Sequence, residues 1–395
     1  MKYYSIFLML TISVFFFFPA YHYAEDNSPS VQSESAVLMD AKTGSILYEK
    51  NSSARMYPAS VTKIATAIVA IEEGKLDDIV TVSENARYVE GTRVYLEPGE
   101  QVSLIKLVQG LLINSGNDAG VAIAEHMDGS VEDFSKRMNQ FLKEKVGIHD
   151  TNFVNPHGLY HDQHYTTAYD IALLTSYALK NDTFKEIFST NELEWKGESW
   201  DTVIYNHHEM LTHRPYEGIV GGKNGYVQKS GHTLATVAER ENLTLVAVTM
   251  KTNLKSIIYK DTAALLDYGF ENFKTTVIPS TKVFKDKQNN NYYPTNSVYY
   301  THKINEIIKQ KVTNEGELLI KGEDNRVLSV TKLNPVAKLS DRPVSVLAST
   351  SIEKEQGESK NLVLLVSFII VTGSLFGIFI YSKKMTRQRQ RDPSN

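Results

Sequence analysis

The residues with the clearest chemistry lie in "YPASVTKIATA", where Ser60 precedes Lys63 by three positions at the start of an apolar helical pattern. That spacing puts a hydroxyl and an amine on one helical face, about one turn apart. A serine at a helix start also lies beside free backbone N–H groups and the positive end of the helix dipole, which suit a developing oxyanion. Alone, the pattern reads as well as an N-cap followed by a surface lysine. Two further elements accompany it. In "LLINSGNDAGVAIAEHM", Ser115 and Asn117 form a Ser-x-Asn between two helical stretches, where both side chains can point from a loop into a cleft; by itself this is a capping turn. In "IVGGKNGYV", Lys223, Asn224 and Gly225 stand just before a β hairpin, which sets an ammonium on an edge strand beside a glycine that permits close approach of a ligand backbone. The joint order and spacing are far more specific than any one piece.

The elements that must position these groups follow from periodicity. "SAVLMDAKTGSILYEKN" is two alternating runs, 35–40 and 45–50, joined by a polar turn that contains a literal Lys42-Thr43-Gly44. The stretch after Ser60 has apolar residues at Ile64, Ala67, Ile68 and Ile71, a helical spacing, with Gly74 as its stop. Helices are predicted over 104–113 and 117–127, and again over 130–146 and 168–180. The last two are each introduced by a hydroxyl with an acid three residues on, Ser130 with Asp133 and Thr167 with Asp170. "HTLATVAER" and "LTLVAVTMK" alternate with period two and are separated by Glu241-Asn242, an antiparallel hairpin directly after the Lys-Asn-Gly segment. A helix follows at about 259–271. Residues 275–340 are rich in Val, Tyr, Thr and Lys in short runs and read as a small β-rich domain.

With 395 residues the chain is long enough for a large core plus an accessory module. Its 42 Lys and Arg against 46 Asp and Glu build no basic footprint, which argues against nucleic acid as a partner. There is no cysteine, so a thiolate nucleophile, disulfides and Cys-ligated zinc are all excluded, and the nucleophile is an oxygen or an amine. Residues 1–24, with Lys2, an apolar run over 6–18 and Ala24 ahead of Glu25, read as a secretory signal peptide. Residues 341–361 read as a polar stalk. Residues 362–381 carry no charge and are followed by "SKKMTRQRQR", the pattern of a transmembrane helix with its basic tail, 382–395, on the cytoplasmic side. The expected localisation is therefore the cell membrane, single-pass, with the 31–273 domain extracytoplasmic.

The set Ser-x-x-Lys, Ser-x-Asn and a Lys-Thr-Gly-like strand resembles the signature of class A β-lactamases and penicillin-binding proteins. Together with "TNFVNPHGLYHDQHYTTAYDIALL" and "LLDYGF", these segments resemble the low-molecular-mass penicillin-binding proteins that act as serine D-alanyl-D-alanine carboxypeptidases. The resemblance runs from about residue 35 to 273. It implies an α/β (α+β) fold of the penicillin-binding, β-lactamase-like kind, an antiparallel sheet flanked by helices, ahead of the small β domain. It also implies roles. Ser60 would attack the carbonyl of the penultimate D-alanine, Lys63 would take its proton, and Ser115 would relay a proton to the departing nitrogen with help from Lys223. Asn117 would hold the substrate peptide, the N–H groups of Ser60 and Tyr226 would form the oxyanion hole, and no metal or cofactor is needed. The implied partners are peptidoglycan stem peptides and, as covalent inhibitors, β-lactam antibiotics.

In this family the third motif follows the second, so the upstream Lys42-Thr43-Gly44 is a decoy and Lys223-Asn224-Gly225 is the active strand. Asn224 departs from the family's threonine, which helps bind the substrate's terminal carboxylate. Ile258 departs from an arginine often found at that register, with Lys255 and Lys260 nearby. Both departures predict an acylatable enzyme with weakened or altered carboxylate recognition. A scaffold with degraded catalysis is the alternative, and a β-lactamase is disfavoured because no Glu-x-x-x-Asn stretch follows the second motif. "HHEMLTH" spaces His208 and His213 five apart, which on a helix would turn the two rings away from one metal. His157, His161 and His164 read as part of a structured loop beside the cleft.

Overall fold

The computed structural model describes residues 28–336. Strands β1 (Ser35–Asp40) and β2 (Ile46–Lys50) form the expected first hairpin. Two small hairpins follow, β3 (Ile79–Thr81) with β4 (Gln101–Ser103), and β5 (Glu192–Lys196) with β6 (Asp201–Tyr205). A meander of β7 (Ile219–Val227), β8 (Gly231–Arg240) and β9 (Leu243–Thr252) completes the main sheet. Its order is β2-β1-β9-β8-β7, antiparallel throughout, so the N-terminal hairpin closes onto the meander by pairing β1 with β9.

Both faces of this sheet are covered, and alternate residues serve opposite cores. Val37, Met39, Val246 and Val248 pack with the helices Lys63–Glu73 and Ala168–Ala178 on one side. Ala36, Leu38, Leu245 and Ala247 pack with the helix Lys255–Asn272 on the other. Burial on two faces explains why β8 and β9 contain nearly unbroken apolar runs. Gly269 lets the last helix approach: a Cβ there would lie 2.5 Å from Leu245 Cδ1.

The helix Lys63–Glu73 is buried at every position from Lys63 to Ile71, more than its apolar spacing predicts, because helices enclose it on the side away from the sheet. Its stop at Gly74 is as expected. Ser130 and Thr167 cap their helices by accepting the N–H groups of Asp133 and Asp170, each cap contributing about 1 kcal/mol. The first of these helices, Val131–Phe141, ends in a π turn at Leu142–Val146. The predicted 259–271 helix starts one turn earlier, at Lys255, and two short helices, Glu84–Tyr88 and Asp182–Phe188, were not signalled by periodicity.

At the end of the long helix the chain enters a β-rich part without a linker. Strand β10 (Phe273–Ile278) pairs with β13 (Val298–Lys303). A second sheet has the order β11 (Phe284–Lys285), β12 (Asn291–Pro294), β16 (Val327–Pro335), β15 (Glu317–Lys321), β14 (Lys309–Val312). Its core is Ile278, Val298, Tyr300, Val312, Leu318, Ile320 and Leu333. The upstream Lys-Thr-Gly docks this part. The buried Asp40 carboxylate accepts hydrogen bonds from Thr43 (3.2 Å), Thr275 (2.5 Å) and Thr301 (2.6 Å), and Lys42 Nζ stands 3.9 Å from the centroid of the Tyr299 ring. The expected leader (1–24), stalk (341–361), membrane helix (362–381) and basic tail (382–395) lie outside the described residues. Among the described residues no helix is long and apolar enough to cross a membrane.

Candidate active site

Ser60 lies in a single 3-10 turn, Ala59–Thr62, that runs directly into the helix Lys63–Glu73. The turn brings Lys63 Nζ to 3.0 Å from Ser60 Oγ. Lys63 is fully buried and donates also to Asn117 Oδ1 (2.7 Å) and to the carbonyl of His157 (2.7 Å). Burial pushes its pKa well below that of an ordinary lysine; the nearby Lys223 adds to this and Asp118 opposes it. A lysine that loses its charge easily, at hydrogen-bond distance from a hydroxyl, is a base for that hydroxyl.

Asn117 opens the helix Asn117–Asp128, and both ends of its carboxamide are engaged inside the protein. Oδ1 accepts from Lys63 and Nδ2 donates to the carbonyl of Glu90 at 2.6 Å, so its first task in this chain is to orient Lys63. Ser115 sits two residues earlier with φ +63, a left-handed conformation forced by the short crossing from the helix Leu104–Leu112 to the next. It is buried in the same loop. Asp118, which sequence reasoning passed over, holds the opposite wall: its carboxylate accepts the N–H groups of Val94 and Leu96 and so pins the loop that carries Glu90. The signal was the acid closing "NSGND".

The third element lies on β7, the edge strand of the sheet. Period two sends Lys223 and Gly225 to the Ser60 side, while Gly222, Asn224 and Tyr226 face the side of the Lys255–Asn272 helix. Lys223 is buried, its Nζ donates to the carbonyl of Asn224 at 3.3 Å, and burial pushes its pKa down to about 7. Gly225 is needed for a different reason than a ligand's approach, since a Cβ there would lie 2.6 Å from Ser60 N and 2.7 Å from Thr233 Oγ1. Asn224 is half-buried, and the exposed Tyr226 ring packs on His232 across the strand pair, 4.6 Å between centroids.

Ile258 is core in this chain, buried with Leu234 and Tyr259. Lys255, one turn before it, pairs with Glu209 at 2.7 Å, and Arg214 approaches the same carboxylate at 3.3 Å. Lys260 is exposed. The "HHEMLTH" segment is a turn and not a helix, and its His208 is fully buried against Thr236 (2.7 Å) and Gly222. Among the described residues no group of side chains could hold a metal ion. In the histidine-rich loop, burial pushes His157 and His164 to about 3, which keeps both neutral.

The fold and these contacts define a class: a helix-flanked antiparallel sheet with a serine-lysine pair packed against its edge strand. The D-alanyl-D-alanine carboxypeptidase family, peptidase S11, matches residues 22–253. The chain is 34% identical over 269 residues to the D-alanyl-D-alanine carboxypeptidase DacF of Bacillus subtilis, covering 65% of this chain and 69% of that one. Among solved structures, penicillin binding protein 6B of Escherichia coli superposes with a TM-score of 0.66 at 28% identity, covering 78% of this chain and 96% of the other. Penicillin binding protein 5 of Haemophilus influenzae gives 0.69 at 25%, covering 78% and 97%. The chain belongs to the peptidase S11 family of serine-type D-alanyl-D-alanine carboxypeptidases.

Proposed function

We propose that this carboxypeptidase removes the terminal D-alanine from peptidoglycan stem peptides through an ester on Ser60. The observation that carries the reading is the 3.0 Å contact between Ser60 Oγ and a fully buried Lys63. Neutral Lys63 takes the hydroxyl proton as Ser60 Oγ bonds to the carbonyl carbon of the penultimate D-alanine. The N–H groups of Ser60 and Tyr226 receive the oxyanion. The C–N bond then breaks, and the proton passes through Ser115, with Lys223 beside it, to the departing nitrogen. Water releases the acyl group by the same base. β-Lactams enter the same step with a leaving group that stays attached. Asn117, besides holding Lys63, keeps a second amide hydrogen for the substrate backbone.

Carboxylate recognition is the point at which this chain differs. Asn224 faces the Lys255–Asn272 helix, where Ile258 supplies no charge and Lys255 is already paired with Glu209. A lost hydrogen bond to a charged group costs about 1.5–3 kcal/mol, roughly 10- to 150-fold in rate, against ~10⁶-fold for a lost nucleophile. We therefore infer full β-lactam acylation and reduced turnover of the free-acid peptide. We also propose attachment to the outer face of the cytoplasmic membrane through residues 362–381, supported by their uncharged run and basic flank.

The test is exposure of the purified protein and its Ser60→Ala variant to a fluorescent penicillin, then to a diacylated Lys-D-Ala-D-Ala peptide with assay of released D-alanine. Label confined to wild type, with D-alanine release, supports the reading. Label with no release would mean that the third motif has changed what the enzyme accepts, neither label nor release would move the assignment to a scaffold, and equal labelling of Ser60→Ala would remove Ser60 from the role.

A further inference from the structure

The loop "VNPHGLYHDQH" meets the nucleophile through hydrogen bonds that the reaction above does not use. Ala59, just before Ser60, has φ +50, a conformation that side chains avoid. Its carbonyl oxygen accepts from Thr62 Oγ1 at 2.9 Å. A hydroxyl has one hydrogen, so Thr62 can only accept from its other partner, His164 Nε2, also at 2.9 Å. His164 therefore carries its proton on Nε2, and its bare Nδ1 accepts the N–H of Val154 at 3.1 Å. Thr62 is 0% and His164 1% exposed, and the Phe153 ring stacks on the imidazole at 5.1 Å. Two neighbours close the clamp. Thr233 donates to the carbonyl of Pro58 at 2.8 Å, and Gly158 lies so close that a Cβ there would run into the carbonyl of Ala59.

The peptide unit is planar and trans, so the Ala59 carbonyl and the Ser60 N–H belong to one rigid plane and point in opposite directions. A hydrogen bond that fixes the carbonyl at one edge aims the N–H at the other. We propose that Thr62 and His164 are positioning residues for acylation: the chain from Val154 through His164 and Thr62 to Ala59 holds the strained peptide so that the Ser60 N–H points at the forming oxyanion. This inference rests on Ser60 being the acylated residue.

Acylation by a fluorescent penicillin, followed rapidly on the full chain and resolved into a binding constant and a chemical rate constant, tests it. Thr62→Val keeps the shape and removes the hydroxyl. Its chemical rate is expected to fall ~10- to 100-fold, part of what losing a whole oxyanion donor costs, with binding changed less than ~3-fold. Thr62→Ser restores the hydroxyl and the rate. His164→Leu falls similarly, whereas His164→Gln, whose amide N–H can stand where Nε2–H stands, recovers most of it. An unchanged chemical rate in Thr62→Val, equal losses in Thr62→Val and Thr62→Ser, or a loss confined to binding would each overturn the proposal. Thr62→Ala replaces Thr62→Val where the latter does not fold. The Ser60→Ala control separates the two readings: label on that variant removes the premise, while a wild-type rate in Thr62→Val removes only the clamp.

Discussion

Asn117 Oδ1 lies 2.7 Å from Lys63 Nζ, so the Ser-x-Asn element holds the amine of the Ser-x-x-Lys element. The contact joins residues far apart in the chain, at a fully buried Lys63, and it makes the ionisation of Lys63 adjustable from position 117.

Asn117→Asp should place a carboxylate against that amine. An opposite charge at this range raises a lysine pKa by about 1–3 units. An amine serves as a base only when neutral, and the Lys63 pKa is held down by burial first, so with Lys63 as the proposed base the acid limb of the acylation profile should move to higher pH. The rate at pH 7 should drop ~10-fold or more. A pH–rate profile of penicillin acylation reads this directly, and an unshifted limb would mean that Lys63 is not the titrating base.

Lys223 predicts a trade of stability against activity. Burial lowers its pKa from 10.5 to about 7, so between those values the unfolded chain holds a proton that the folded chain has released. Stability from this group is therefore lost as pH falls from 10.5 towards 7 and stays low below that, at about 1.4 kcal/mol per unit as an upper bound. Lys223→Met should melt several degrees higher than wild type at pH 6, with the gain vanishing near pH 10, while D-alanine release is abolished. Thermal melts across pH decide it.

Gly225→Ala sets a methyl 2.6 Å from Ser60 N. Both sides of the contact are backbone within packed elements, so β7 or the Ser60 turn must shift, at about 1–3 kcal/mol of stability. Acylation should fall ~10²- to 10³-fold, the scale of a lost oxyanion contact. Labelling at the wild-type rate would show that the strand tolerates displacement.

Asn224→Thr should raise D-alanine release ~10-fold or more while β-lactam acylation changes less than ~3-fold. Ile258→Arg, in contrast, forces a guanidinium among Leu234 and Tyr259. It should destabilise by several kcal/mol, as expected for an unpaired buried charge, before it can serve a carboxylate. Release assays and melting curves on the two single variants separate these outcomes.

Asp40→Ala leaves three threonine hydroxyls without their common acceptor. The β-rich part should then unfold in its own earlier transition, with penicillin labelling retained. A single cooperative melt at the wild-type midpoint would count against Asp40 as the docking point.

The sequence by itself determined the family and singled out the residues proposed for the chemistry. The elements that carry Ser60, Lys63 and Lys223 came from local patterns, an apolar run of helical period after Ser60 and a period-two hairpin after Lys223, while the order of the set with Ser115 and Asn117, and the rejection of Lys42-Thr43-Gly44 as the third motif, came from the resemblance to the family. Such patterns are legible because each depends on neighbours a few positions away. The tertiary structure alone decided what surrounds these groups. Period cannot reveal that Lys63 loses its water on every side, that Gly225 is required by the Ser60 backbone, that Ile258 faces an apolar core, or that Thr62 reaches His164. Each of those depends on segments far apart in sequence meeting at one point. Burial and hydrogen-bond partnership, which set the charge of Lys63 and Lys223 and the direction of the Ser60 N–H, exist only once that packing has formed.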